Sequence, residues 1–144
     1  MIIFLDIDGV LHPNSGSALF VSSCMQVLED ILLNDLSVEI VITSSWREEK
    51  SLSEIKALLG QCIGSHVIGH TPIIDDPFLK NVRYHEVMQY LESIDNPIRR
   101  WIAIDDEPGN YPSDSPVIFT DRRKGLTPDD GIKIKQLISS LQLE

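Results

Sequence analysis

The sequence predicts an α/β fold with a mainly parallel central sheet, and three observations lead there. Short, nearly unbroken apolar runs recur along the chain, and segments with helical spacing separate them. Runs apolar on both faces are what a parallel sheet needs when helices cover both its sides. The runs also end in acids or hydroxyls, and parallel strands carry their carboxyl ends to one edge, where such sheets bind ligands.

Ile2 to Ile7 reads as the first strand. Ser23 with Gln26 forms a capping-box pattern, and Cys24, Val27, Leu28 and Ile31 then recur on one helical face. Asn34-Asp35 breaks that helix, and Val38 to Thr43 forms the second strand. Ser51 with Glu54 is a second capping box, leading through Leu52, Ile55, Leu58 and Leu59 to a stop at Gly60. A short strand is expected near Val67-Ile68. Tyr84, Val87, Met88 and Leu91 mark a third helical face that ends before Asn96-Pro97. Trp101 to Ile104 and Val117 to Phe119 read as strands. Thr127-Pro128-Asp129-Asp130 is a helix start, with a cap, a proline in the first turn and acids at the positive end of the dipole. The helix that follows buries Ile134, Leu137, Ile138 and Leu141.

No repeat or linker interrupts this pattern, and 144 residues suit one domain, expected to span 1–144. A hydrophobic share of 42% against 24% charged residues is that of a soluble globular chain. There is no apolar stretch of about 18 residues to cross a membrane, and no basic leader precedes the first strand. Cys24 and Cys62 fall in or beside apolar helical patterns, as reduced thiols do, so a cytoplasmic location is the default expectation. A net charge of −10 disfavours a broad grip on a nucleic-acid backbone, and only Arg99-Arg100 and Arg122-Arg123-Lys124 are locally basic. A small phosphorylated substrate stays compatible, because one cation and a metal outweigh the global field locally.

The polar residues gather at three strand ends. The first strand runs into Asp6-Ile7-Asp8-Gly9, the second into Thr43-Ser44-Ser45, and the WIAI strand into Asp105-Asp106. Taken singly, each has a plain structural explanation: a turn, a strand-end hydroxyl, or acids ahead of Pro108-Gly109. Together, on parallel strands, they place four carboxylates and a hydroxyl cluster at one edge. Oxygen ligands of this kind suit Mg²⁺. If strand geometry persists, period-two spacing sends Asp6 and Asp8 in the same general direction.

These stretches resemble the haloacid dehalogenase (HAD) superfamily of phosphotransferases. FLDIDGVLH is similar to its first motif, VITSSW to its second and WIAIDDEP to its fourth, and the resemblance runs from residue 2 to the last helix. FTDRRKGLTPDD resembles the final strand, loop and helix start of small bacterial HAD-domain proteins of unassigned substrate. The third motif, a Lys or Arg near a helix start, has two candidates. Arg83 stands eight residues before Leu91, in the register of small family members, and Lys80 lies nearer the loop. Arg83 is preferred.

The resemblance implies a HAD-like, Rossmannoid α/β/α fold of three layers and a Mg²⁺-dependent phosphatase or phosphotransferase. Asp6 would attack phosphorus to give an aspartyl-phosphate, and Asp8 would act as general acid and then base. The metal would be held by Asp6, the main-chain carbonyl of Asp8 and Asp106, with Asp105 orienting the cation or a bound water. Thr43 and Ser44, with Arg83 or Lys80, would hold phosphoryl oxygens. An acid at position 8 favours phosphoryl chemistry over dehalogenation, in which halide leaves without a proton.

About a dozen residues separate Asp8 from the first helix, room for a flap from His12 to Phe20 and no more. The Trp46–Phe78 segment is also too short for a folded cap. The resemblance to small capless members then implies a large substrate or closure by a partner subunit. A polynucleotide phosphate end is compatible with this but disfavoured by the net charge, and the oligomeric state is not legible. Trp46 and Arg47, directly after the second motif, could touch a substrate but are preferred as packing and solvated groups; His12 is a weak candidate for substrate contact, and His85 is expected to be structural. His66 and His70 flank Gly69 and precede Pro72, which argues against a helical zinc pair. Two rivals remain. A phospho-accepting receiver uses similar groups, but places its acid pair after the first strand and its phosphoacceptor later. A HAD-like phosphate-binding or nucleic-acid-repair-associated module without turnover is the other.

Overall fold

The computed structural model describes residues 1–14, 20–94 and 100–143. Its sheet comprises β1 (Ile2–Leu5), β2 (Glu39–Ile42), β3 (Val67–His70), β4 (Trp101–Asp105) and β5 (Val117–Phe119). The strands lie in the order β3-β2-β1-β4-β5, and every pairing is parallel. The helices are α1 (Ser22–Asn34), α2 (Trp46–Glu49), α3 (Leu52–Gly64), α4 (Val82–Ser93) and α5 (Pro128–Gln142), with a 3₁₀ turn at Pro108–Asn110.

Alternation along the strands divides the core in two. Ile3, Leu5, Ile40, Ile42, Ile102 and Ile104 face Cys24, Leu28, Ile55, Leu59, Ile134 and Ile138 of α1, α3 and α5. Ile2, Phe4, Val41 and Ala103 face the other way, against Val87 of α4 and Tyr111. Phe4 meets Tyr90 and Trp101 edge-on, with ring centroids 5.8 and 5.7 Å apart. The architecture is therefore three layers, as a doubly covered parallel sheet demands. Between β2 and α4 lie only α2, α3 and β3, so the described residues form a small α/β domain without a cap.

The sequence reading needs local corrections. Ser23 and Gln26 do not cap α1. The helix starts at Ser22, Val21 holds the cap position without a side-chain bond, and the Val21 amide is tied to the Leu11 carbonyl at 3.0 Å. That tie fixes the helix entry ahead of Ser23. The Ser51–Glu54 and Thr127–Asp130 capping boxes both form. α3 does break at Gly60 (φ 85°, ψ 170°), but it resumes to Gly64 because Ile63 is drawn fully into the core. β1 ends at Leu5 rather than Ile7. The Ile7 amide bonds the Asp6 side chain instead of continuing the ladder, and the Val10 and Leu11 amides turn back to the Ile7 carbonyl. Asn96-Pro97, Arg99 and residues 15–19 of the expected flap lie outside the described residues. No described helix is long and apolar enough to cross a membrane.

Candidate active site

The strand order places the site. β1, β2 and β3 wind outward in one direction, while β4 and β5 lie on the other side of β1. The β1/β4 boundary is thus the switch point where open α/β sheets bind ligands. Asp6 follows β1, Asp105 ends β4 and Asp106 follows it. Their carboxylates converge, with one oxygen from each lying within 4.8 Å of the others.

Such crowding raises the carboxyl pKa values. Asp6 is pushed well above the ordinary carboxylate range, first by burial and next by the charge of Asp105. The Ile7 amide, 2.9 Å from Asp6 Oδ1, and the Arg83 charge pull the other way and do not prevail. Asp105 is fully buried and raised to about 6, again chiefly by burial. It accepts hydrogen bonds from the Glu107 amide (2.8 Å) and from Asn110 Nδ2 (3.3 and 3.4 Å). These donors hold its orientation without supplying a positive charge. Three carboxylates with unmet charge at an oxygen-lined edge fit a hard divalent cation.

Gly9 makes room for the cluster. At φ +77° it lies so close to Asp106 that a Cβ there would stand 2.2 Å from Asp106 Oδ2. The Gly9 carbonyl is anchored by Thr120 Oγ1 at 2.6 Å.

Asp8 points elsewhere. With β1 finished at Leu5, period-two spacing no longer applies, and the Asp8 carboxylate stands outside the triple cluster. Its Oδ1 lies 2.8 Å from His12 Nε2, and the Trp46 indole N–H donates to both oxygens at 3.1 and 3.3 Å. Trp46 stacks on Phe20, with centroids 5.3 Å apart, and His12 packs against both rings. The position 8 carboxylate is therefore held by His12 and Trp46, apart from the three clustered acids.

β2 delivers Thr43 and Ser44, both fully buried. Ser44 Oγ accepts from the Trp46 amide at 3.2 Å. Thr43 Oγ1 is buried and has no hydrogen-bond partner among the described residues. Buried hydroxyls are rarely left unmatched in this way. At the start of α4, Arg83 bonds Glu86 at 2.9 Å. Burial alone would lower its pKa; the Glu86 bond and charge, followed by the charges of Asp6 and Asp105, hold it above the ordinary value. Lys80 is exposed. Of the two candidate cations, Arg83 is the one held in place, by Glu86.

The sequence reading missed three groups. Arg47, expected in solvent, is buried and paired with the almost fully buried Glu86 at 2.8 Å. Glu86 lies off the Tyr84, Val87, Met88 and Leu91 face, so helical spacing gave no hint of it. Tyr111 is buried with no partner for its hydroxyl among the described residues; burial, then Asp105 and Asp6, raise its pKa. His66 Nδ1 lies 2.7 Å from the Val38 carbonyl, and His70 Nδ1 lies 2.9 Å from that of Thr71. Cys24 and Cys62 are free.

The sequence profile of the HAD domain in Swiss Army Knife RNA repair proteins matches residues 2–130. The chain belongs to this HAD family. No curated protein and no solved structure gives a significant match. Membership extends from the first strand of this HAD domain into the start of α5, so it takes in all three strand ends that build the acidic edge.

Proposed function

We propose that this HAD domain is a Mg²⁺-dependent phosphoester hydrolase working through Asp6 and Asp8. One observation carries the reading: the carboxylates of Asp6, Asp105 and Asp106 converge at the switch point of the sheet. Asp6, Asp106 and the Asp8 main-chain carbonyl would hold Mg²⁺, with Asp105 alongside. When bound, the cation offsets carboxylate repulsion and neutralises charge on the phosphoryl group.

The chain's own groups do the rest. An Asp6 carboxylate oxygen attacks phosphorus as the bond to the leaving oxygen breaks, and the Asp8 proton passes to that oxygen. Water then attacks the aspartyl-phosphate, giving its proton to Asp8 and releasing phosphate with Asp6 regenerated. The Thr43 hydroxyl and Arg83 hold the equatorial oxygens, and Arg83 offsets the charge that grows in the transition state. His12 and Trp46 fix the Asp8 carboxylate for proton transfer to the leaving group. Ser44 holds the Trp46 amide, while exposed Lys80 has the lesser claim to the phosphoryl group.

The family description supports a phosphate on RNA as substrate, and the lack of a cap among the described residues supports a bulky one. The net charge of −10 argues that recognition centres on a terminal phosphate rather than on a long polyanionic track. The test is phosphate release from p-nitrophenyl phosphate and from 5′- and 3′-phosphorylated oligoribonucleotides. It is run with and without Mg²⁺, against Asp6→Asn and Asp8→Asn proteins. Turnover that needs Mg²⁺ and both acids is expected. Silence across the panel with Mg²⁺ bound overturns the hydrolase reading in favour of a phosphate-binding module.

A further inference from the structure

Behind Arg83 lies a buried ionic network that catalysis as outlined above does not use. Glu86 has a side chain only 1% exposed and accepts from three donors: Arg83 Nη1 on Oε1 at 2.9 Å, and Arg47 Nη2 and the Ile74 amide on Oε2 at 2.8 and 2.9 Å. Arg47 is fully buried in its side chain and spends all five N–H groups inside the protein. Nη1 reaches the carbonyls of Thr43 and Ser44 at 2.8 and 3.0 Å. Nε reaches Thr71 O at 3.1 Å and Nη2 reaches Pro72 O at 3.2 Å, besides Glu86.

We infer that Arg47 and Glu86 form one positioning unit that sets the two phosphoryl-holding groups, Thr43 and Arg83, in register with each other; this rests on the hydrolase reading. Neither residue touches the substrate. Glu86 alone would fix Arg83 but also cancel its charge. With Arg47 bound to the other oxygen of the same carboxylate, the Arg47–Glu86 pair is neutral as a whole. Arg83 is thereby anchored through one N–H while its positive charge remains available to Asp6 and to an incoming phosphoryl group. That division fits the side chain of Arg83, which is 20% exposed where Arg47 is 0% exposed.

Thr43 and Ser44 leave β2, and Thr71 and Pro72 leave β3, so the Arg47 fork pins two adjacent strand ends together. The Thr43 hydroxyl, unmatched within the described protein, then keeps its place relative to Arg83 across a sequence separation that no helix or turn spans. A purely structural ion pair has no need to bind a third charge at the mouth of the site. Replacing such buried pairs with apolar groups is often neutral for stability, so stability alone is a weak reason for this one.

The test is a double-mutant cycle between Glu86→Gln and Arg83→Ala. It is read in kcat and KM with the substrate turned over best, and in orthovanadate affinity. Glutamine keeps the side chain's shape but removes the charge and turns one of its two acceptor oxygens into a donor. Each single change is expected to lower kcat by roughly 10- to 100-fold with little change in KM, and Arg83→Ala should cost less than about threefold more once Glu86 is gone. Losses that multiply overturn the proposal, since they make Glu86 independent of Arg83. If Glu86→Gln does not fold, rescue of Arg83→Ala by added cations decides. Guanidinium, which can bridge Glu86 and the phosphoryl group, should restore turnover where methylammonium does not; equal rescue overturns the proposal. A wild type without turnover defeats the hydrolase reading instead, and orthovanadate affinity then reads this one by the same criterion.

Discussion

Replacing Gly9 by alanine sets a Cβ 2.2 Å from Asp106 Oδ2, 2.6 Å from its Cγ and 2.9 Å from its Cβ, at a φ of +77°. Two costs follow, and they are separable. The left-handed backbone costs an L side chain about 1–2 kcal/mol, or about 3–8 °C in Tm for a domain of this size. The steric cost falls on the site. Ordinary contact begins near 3.4 Å, so the Asp106 carboxylate must retreat by roughly 1 Å. Mg²⁺ demands oxygens at about 2.0–2.1 Å in near-octahedral array, so a displacement of that size removes Asp106 as a direct ligand. Gly60 supplies the control, because its φ is +85° and nothing lies within 4 Å of its Cβ position.

Gly60→Ala should lower Tm while leaving Mg²⁺ affinity unchanged. Gly9→Ala should lower Tm similarly, weaken Mg²⁺ binding at least tenfold in titration calorimetry, and reduce turnover by about 10²-fold. A Gly9→Ala protein that binds Mg²⁺ and turns over like the wild type refutes the placement of Asp106 at the metal.

Thr43→Val should leave Tm unchanged or raise it, because it removes a buried hydroxyl with no partner among the described residues, while lowering turnover about tenfold or more. A loss of both stability and activity would assign Thr43 to structure. The acid pair makes the Mg²⁺ effect depend on pH. Asp105 is raised to about 6, so in metal-free protein its contribution is present at low pH and lost as pH climbs through about 6; Asp6, also raised, acts in the same direction. Thermal melts should therefore show a larger gap between Mg²⁺-loaded and EDTA-treated protein at pH 8 than at pH 5. Equal gaps contradict the clustering. Trp46→Phe keeps the stack on Phe20 but deletes a donor to Asp8, so kcat should fall several-fold with Mg²⁺ affinity unchanged; a changed Mg²⁺ affinity would place Trp46 at the metal instead.

Most of the fold was legible because its determinants are local. The apolar runs, the Ser51–Glu54 and Thr127–Asp130 boxes and the proline at the start of α5 act within a few residues of one another. Where a distant group intervened, the local reading slipped, as when the Leu11 carbonyl set the start of α1 ahead of Ser23. The site divides in the same way. Asp6, Thr43 and Asp105-Asp106 were visible as polar endings on strands, since every strand of a parallel sheet ends at the same edge.

By itself, then, the sequence determined which residue types reach that edge and in what order. Tertiary structure decided which of them meet. It gathered Asp6, Asp105 and Asp106, turned the Asp8 carboxylate towards His12 and Trp46, and buried Arg47 against Glu86 across a separation of 39 residues. Periodicity records only which face a side chain takes. The partner of a buried charge depends on which chain segments the packed sheet brings alongside it, and a charge left unmatched in the interior is too costly for that choice to be free.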